Sequence, residues 1–192
     1  MQKKIYVIIA VVFISCATYF GKSDNLINYV DPFIGSGGHG HVFVGANVPF
    51  GGVQVGPTNF NKGWDWSSSY HHTDSIVKGF CHINVSGTGM SDLGELTIMP
   101  ATGKLMTGAG TQNNHMAGYS SLYYKDKEHA SVGYYKVHLE RYDIDVELTA
   151  TERVGLHKYR FPESNQSRVI IDLGEGSADR PTETYLKKIN DT

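Results

Sequence analysis

Tyr134-Tyr135-Lys136-Val137-His138-Leu139-Glu140-Arg141 and Ile144-Asp145-Val146-Glu147-Leu148-Thr149-Ala150-Thr151 are the two runs that decide the fold. Tyr135, Val137 and Leu139 alternate with Lys136, His138 and Glu140. Ile144, Val146, Leu148 and Ala150 alternate with Asp145, Glu147, Thr149 and Thr151. A period of two sends successive side chains to opposite faces, so each run reads as a strand with one buried face and one wet face. The link at Arg141–Asp143 is short enough to join them as an antiparallel hairpin. Gly155–Phe161 and Arg168–Leu173 read as two more strands, connected through a turn at Pro162–Gln166. Four successive strands without a crossover helix predict a mostly β chain built as an antiparallel β-sandwich.

On the N-terminal side of the hairpin the pattern is less regular. Thr102–Tyr123 is polar and Gly-rich, which suits a long loop or a hairpin. Val30–Pro100 carries short apolar runs, Val42–Val44 and Val53–Val55, between Gly-, Pro- and Asn-containing turns. Beyond the last strand, Ala178–Leu186 reads as the start of a helix or as linker. The 192 residues hold 22 Gly and 12 Tyr against 6 Pro, a balance that favours tight turns and sheet over a helical bundle. A net charge of -2 with scattered Lys and Arg excludes the electrostatic footprint of a nucleic-acid binder.

The first residues differ from the rest. Lys3 and Lys4 precede the apolar run Ile5–Ile14, then come Ser15, Cys16 and Ala17. That run is too short to span a bilayer, which takes roughly 20 residues, and it reads as a signal peptide of lipoprotein type over residues 1–16. Cys16 is the expected lipidated mature N-terminus, residues 17–28 a linker, and residues 29–192 the folded domain. The expected location is the periplasm or the outer membrane of a Gram-negative bacterium, with membrane contact only through the lipid. The second cysteine, Cys81, is left without a disulfide partner and reads as a small buried hydrophobe.

Chemistry-bearing residues gather between Gly35 and Asp92. His39, His41, His71, His72 and His82, five of the nine histidines, fall there with both tryptophans. A Gly-rich loop bearing His39 and His41 lets backbone and imidazole approach a ligand closely. Gly63-Trp64-Asp65-Trp66 sets aromatic faces beside a carboxylate, an arrangement that suits the apolar face and hydroxyl rim of a sugar. On a strand Trp64 and Trp66 would point the same way, and core filling remains open for both. Gly35-Ser36-Gly37-Gly38 lacks the Lys-Ser/Thr of a phosphate loop. The histidine pairs give no metal-ligand spacing, so no metal is expected in this chain. Asp65, Asp74, Asp92 and Glu95 are the carboxylates of the region. None is marked as half of a tuned acid–base pair, and Asp92 reads as a turn cap.

Several segments in fixed order carry a resemblance. Val30-Asp31-Pro32-Phe33-Ile34-Gly35, Gly37-Gly38-His39-Gly40-His41, Pro49-Phe50-Gly51-Gly52-Val53, Gly63-Trp64-Asp65, Gly79-Phe80-Cys81-His82, Ser86-Gly87-Thr88-Gly89 and Leu148–Gly155 together resemble the opening of glycoside hydrolase family 92. The resemblance runs from Tyr29 to Leu173. It implies an exo-acting, calcium-dependent, inverting α-mannosidase that acts on N-glycans or mannan. The implied architecture is a galactose mutarotase-like supersandwich followed by an (α/α)6 barrel. This chain would supply the sandwich and lack the barrel. The catalytic acid and base and the calcium ligands are then expected outside the chain, in a C-terminal helical partner domain.

The resemblance also places His39, Trp64, Trp66, His82 and the turn of Ser86, Gly87, Thr88 and Gly89 nearest the mannose-containing glycan, and His41 and Asp65 join them as candidate ligand residues. The chain departs from the family pattern at Cys81, where Ser is usual, and at Ile83-Asn84 in place of Thr-His. A second histidine offered to the ligand is therefore missing. Asp92-Leu93-Gly94-Glu95 likewise replaces Asp-Tyr-Gly-Asp. The competing readings are a stand-alone carbohydrate-binding lipoprotein and a structural envelope protein without a ligand.

Overall fold

A computed structural model describes residues 25–87, 96–174 and 181–190. The expectations for Cys16, Thr88, Gly89, Asp92 and Glu95 lie outside these residues. Asn25–Val30 forms a small unit by itself, a 3-10 turn at Leu26–Tyr29 whose Ile27 N–H donates to the Asn25 side chain at 3.3 Å.

The main body holds ten strands among the described residues: β1 (Gly56–Thr58), β2 (Ile76–Val77), β3 (Gly79–Cys81), β4 (Thr97–Ala101), β5 (Ser121–Leu122), β6 (Glu128–Ser131), β7 (Tyr134–Leu139), β8 (Ile144–Ala150), β9 (Gly155–Arg160) and β10 (Arg168–Asp172). They form antiparallel sheets in the orders β1-β3-β4-β10, β2-β5 and β6-β7-β8-β9. The expected hairpin is present, with Val137 opposite Val146 and Leu139 opposite Ile144.

Alternation decides burial as read from the sequence. Val137, Leu139, Ile144, Val146 and Leu148 are buried, while Glu147 and Asp145 reach the wet face. Each such side chain contributes roughly 1.5–3 kcal/mol through removal from water. Phe80, Met99 and Ala101 of the first sheet share one continuous core with these residues, so the two four-stranded sheets bury a common interior as a sandwich does.

Two details were open in the sequence. Arg168–Asp172 does not continue the hairpin's sheet; it crosses to the other one and pairs with β4, Ile170 opposite Met99. The residues after it, 181–190, contain no helix, so the described part of Ala178–Leu186 is not helical. Within Thr102–Tyr123, a bridge joins Thr111 to Asn114, a 3-10 turn occupies His115–Ala117, and Ser121–Leu122 pairs with β2.

Candidate carbohydrate site

The site is built on two loops that the sequence forces into tight turns. The first runs from Gly35 to Val42, closed by Val42 N–H to the Gly35 carbonyl at 3.2 Å. A side chain at position 40 would begin 2.0 Å from the Gly35 carbonyl oxygen, so only glycine lets the loop close. The second leaves β1 at Asn59 and returns at Ser69, where Asn59 N–H meets the Ser69 carbonyl at 2.7 Å. Asn59 is buried at its neck, its amide donating to the Ile76 carbonyl at 2.7 Å and its side-chain oxygen accepting from the His71 N–H at 2.9 Å.

At the tip of the second loop, Gly63 takes φ +125° and opens a 3-10 turn over Trp64–Trp66. This corrects the expectation that both indoles share one face of a strand. With three residues per turn, positions 64 and 66 diverge. Trp66 turns inward. Its indole N–H donates to Asp74 at 3.0 Å and its ring stacks on His71 at 4.3 Å. Lys62 closes this corner with an ion pair to buried Asp74 at 2.9 Å, which gives Asp74 a structural role. Trp64 turns outward and stays 61% exposed.

The two loops meet at Asp65. His39 Nδ1 lies 2.6 Å from Asp65 Oδ1, and His41 Nε2 lies 3.5 Å from the same oxygen. The His41 ring abuts the Trp64 indole edge-on at 4.1 Å, with His39 5.8 Å away on a tilt. His71 braces the first loop from below, its Nε2–H directed at the Gly38 carbonyl at 3.3 Å while Nδ1 takes the Thr73 hydroxyl at 2.8 Å. The hydrogen bond from His39 holds the Asp65 carboxyl below its ordinary range, against a smaller opposing effect of burial. Asp65 is therefore an ionised acceptor at neutral pH. A proton-donating acid needs the opposite shift.

His39, His41, Trp64 and Asp65 thus come together. Ser86 and Gly87 join them through the backbone: the Gly87 N–H donates to the His41 carbonyl at 2.6 Å, and the Ser86 hydroxyl accepts from the Phe43 N–H at 3.1 Å. Trp66 serves as the floor under the turn. His82 turns to the other sheet, where it stacks on His157 at 4.7 Å. Cys81 is buried among Thr58 and Thr97, and burial pushes its thiol pKa up, which is the setting of an inert core thiol. His157 and Tyr159 were missed by sequence reasoning. Their signal was the alternation of β9 itself, which sends Gly155, His157 and Tyr159 inward.

Among the described residues, no three His, Cys, Asp or Glu side chains stand together as a metal's donor set. Calcium takes six to eight oxygens, which no such group of described side chains offers.

Residues 29–192 match the family model described as glycosyl hydrolase family 92 N-terminal domain. An uncharacterized secreted glycosidase of Arthroderma benhamiae is 27% identical over 166 residues, covering 78% of this chain and 20% of its own length. A family GH92 α-mannosidase of Bacteroides thetaiotaomicron, whose structure is also known with mannoimidazole, superposes with a TM-score of 0.76 at 38% identity, over 79% of this chain and 20% of that one. A second GH92 glycosyl hydrolase superposes with a TM-score of 0.67 at 26% identity, over 80% of this chain and 21% of its own. The chain spans about a fifth of the length of each of these relatives.

Proposed function

Because the chain belongs to the family of glycosyl hydrolase family 92 N-terminal domains, we propose that it forms one wall of the sugar site of an exo-acting α-mannosidase. The observation that carries this reading is the exposed Trp64 indole set beside the ionised Asp65 carboxylate. A pyranose laid on the indole buries its C–H face there, while its hydroxyls donate to Asp65 and to the bare Nε2 of His39. Ser86 and Gly87 border the same surface. Mannose-containing glycans are the ligand class, by analogy with the α-mannosidase to which the chain is 38% identical.

The chemistry belongs elsewhere in this reading. Inverting hydrolysis needs an acid and a base roughly 6.5–9.5 Å apart with a water between them. Asp65 is held ionised and Asp74 is locked in a buried ion pair, so neither supplies the acid. The acid, the base and the calcium ligands come from the remaining length of a full-size family member, and Cys16 anchors the exported protein by its lipid.

The purified chain, incubated with α-1,2-mannobiose and excess calcium, is expected to release no mannose. Release that is lost in Asp65→Asn would move the chemistry onto Asp65 and overturn this division of labour.

A further inference from the structure

Between the two four-stranded sheets, two imidazoles and a phenol stand in a line. His82, which follows β3 in the first sheet, stacks on His157 of β9 in the second, with ring planes 24° apart and centroids 4.7 Å apart. Their Nε2 atoms are 3.1 Å apart, and His157 Nδ1 lies 2.6 Å from the Tyr159 hydroxyl. A side chain at position 155 would begin 2.8 Å from the His82 Cδ2, so Gly155 is what admits the ring against the β9 backbone. Phe80 meets the His157 ring edge-on at 6.5 Å.

We propose that His157 and Tyr159 are positioning residues, which hold His82 as a neutral imidazole with its proton on Nδ1 and thereby fix the course of His82–Gly87 beneath the candidate sugar surface. Only the last clause rests on the sugar-binding reading above.

What each atom can donate or accept leaves two orders of protons along this line, of which the proposal takes one. Two Nε2 atoms at 3.1 Å bond only if one carries a proton and the other does not. Burial raises the Tyr159 pKa, so the phenol remains a hydroxyl at neutral pH, and in the proposed order it donates to His157 Nδ1; in the opposite order its oxygen accepts from His157 Nδ1–H, and the tautomer spectra below separate the two. In the proposed order the His157 proton sits on Nε2 and is donated to His82 Nε2. That order leaves the His82 proton on buried Nδ1, which meets no hydrogen-bond partner among the described residues, so the tautomer is set from the Nε2 side alone. Burial lowers both imidazole pKa values, that of His157 to about 4, so the pair stays neutral at neutral pH. Among the described residues, Tyr159 is the titratable group that meets the pair. Phe80, Gly155 and Val53 pack beside it without charge.

From this anchor the chain runs directly to the site. The His82 carbonyl accepts from Gln54 N–H at 2.9 Å and the Asn84 amide donates to the Gln54 carbonyl at 2.9 Å. Four and five residues beyond His82, Ser86 and Gly87 bind the backbone on either side of Val42.

Long-range proton–nitrogen NMR spectra of the full chain at neutral pH read each imidazole's tautomer directly. The expected pattern is a protonated Nδ1 with a bare Nε2 on His82, and the reverse on His157. Tyr159→Phe should mix the His157 tautomers and shift the His82 nitrogens with them. His157→Gln, which keeps an N–H near the Nε2 position, should preserve the His82 tautomer and the Ser86 and Gly87 amide shifts, while His157→Leu should lose both. A His82 proton on Nε2, or His82 nitrogens unmoved by Tyr159→Phe in a folded protein, would overturn the relay. Displacement of Ser86 and Gly87 by His157→Leu supports the positioning role whether or not a mannoside binds, so failure of the sugar reading is read separately, by titration with methyl α-mannoside.

Discussion

Replacing Glu128 by alanine should cost the protein about 3–5 kcal/mol, although this carboxylate touches no ligand surface. Its side chain is 1% exposed and takes three donors: the Lys125 ammonium at 3.0 Å, the Tyr70 hydroxyl at 3.0 Å and the Tyr135 hydroxyl at 2.8 Å. Tyr70 and Tyr135 are fully buried, and losing the acceptor strands hydroxyl donors at about 1–3 kcal/mol each. Tyr70 is partly rescued because its oxygen still accepts from Lys125 at 2.7 Å. Lys125 is one-third exposed and sits over the Tyr70 and Tyr123 rings at 4.6 Å, so water recovers some of its solvation. These offsets hold the sum near the lower half of the range.

Glu128→Gln keeps the volume and one acceptor but turns an N–H₂ toward existing donors, so about 2 kcal/mol is expected. Urea unfolding, with equal slopes for all three proteins, measures both values. Tyr70 follows the loop that carries Trp64, so the alanine protein should also broaden the amide signals of Gly63–Trp66. A loss under ~1 kcal/mol for Glu128→Ala would refute the claim that this buried cluster holds the loop to β6.

Gly40→Ala should destabilise by roughly 2–4 kcal/mol, because its Cβ would begin 2.0 Å from the Gly35 carbonyl oxygen; Gly38→Ala, with open space around it, should cost less, and thermal unfolding separates the two. Acidification should weaken the fold between about pH 6.5 and pH 4. His82 and His157 have folded pKa values below the unfolded one, so the unfolded chain binds protons first and stability present above pH 6.5 is lost as the pH falls. Partial exposure reduces the His157 share to roughly 2 kcal/mol, and His157→Gln should flatten the pH slope of the urea midpoint.

The sandwich was legible where one face is wet. Tyr135, Val137 and Leu139 could be assigned to a core face because their neighbours are polar, and the hairpin followed from the short link at Arg141–Asp143. The partner of Arg168–Asp172 was not legible, since pairing with β4 depends on Met99 meeting Ile170 across the chain rather than on any local pattern. Trp64 and Trp66 were identified together but have opposite fates, decided by the φ of Gly63 and by the Asp74 carboxylate that captures the Trp66 indole. His82 and His157 are 75 residues apart, and no spacing rule joins them. The exposed half of the site could be read from residue type, while its supports required the fold.

The most direct test of the central claim is a titration of the folded chain with methyl α-mannoside, following the two tryptophan indole N–H signals by NMR. The Trp64 signal should shift saturably, with a dissociation constant in the millimolar range expected for an open, hydrated surface, while the Trp66 signal, held by Asp74, should move little. Trp64→Ala should abolish the shifts at Asp65 and Ser86. Mannoside shifts at Asp65 and Ser86 that persist in Trp64→Ala, or a Trp64 signal unmoved at saturating mannoside, would contradict the assignment of this surface to a sugar.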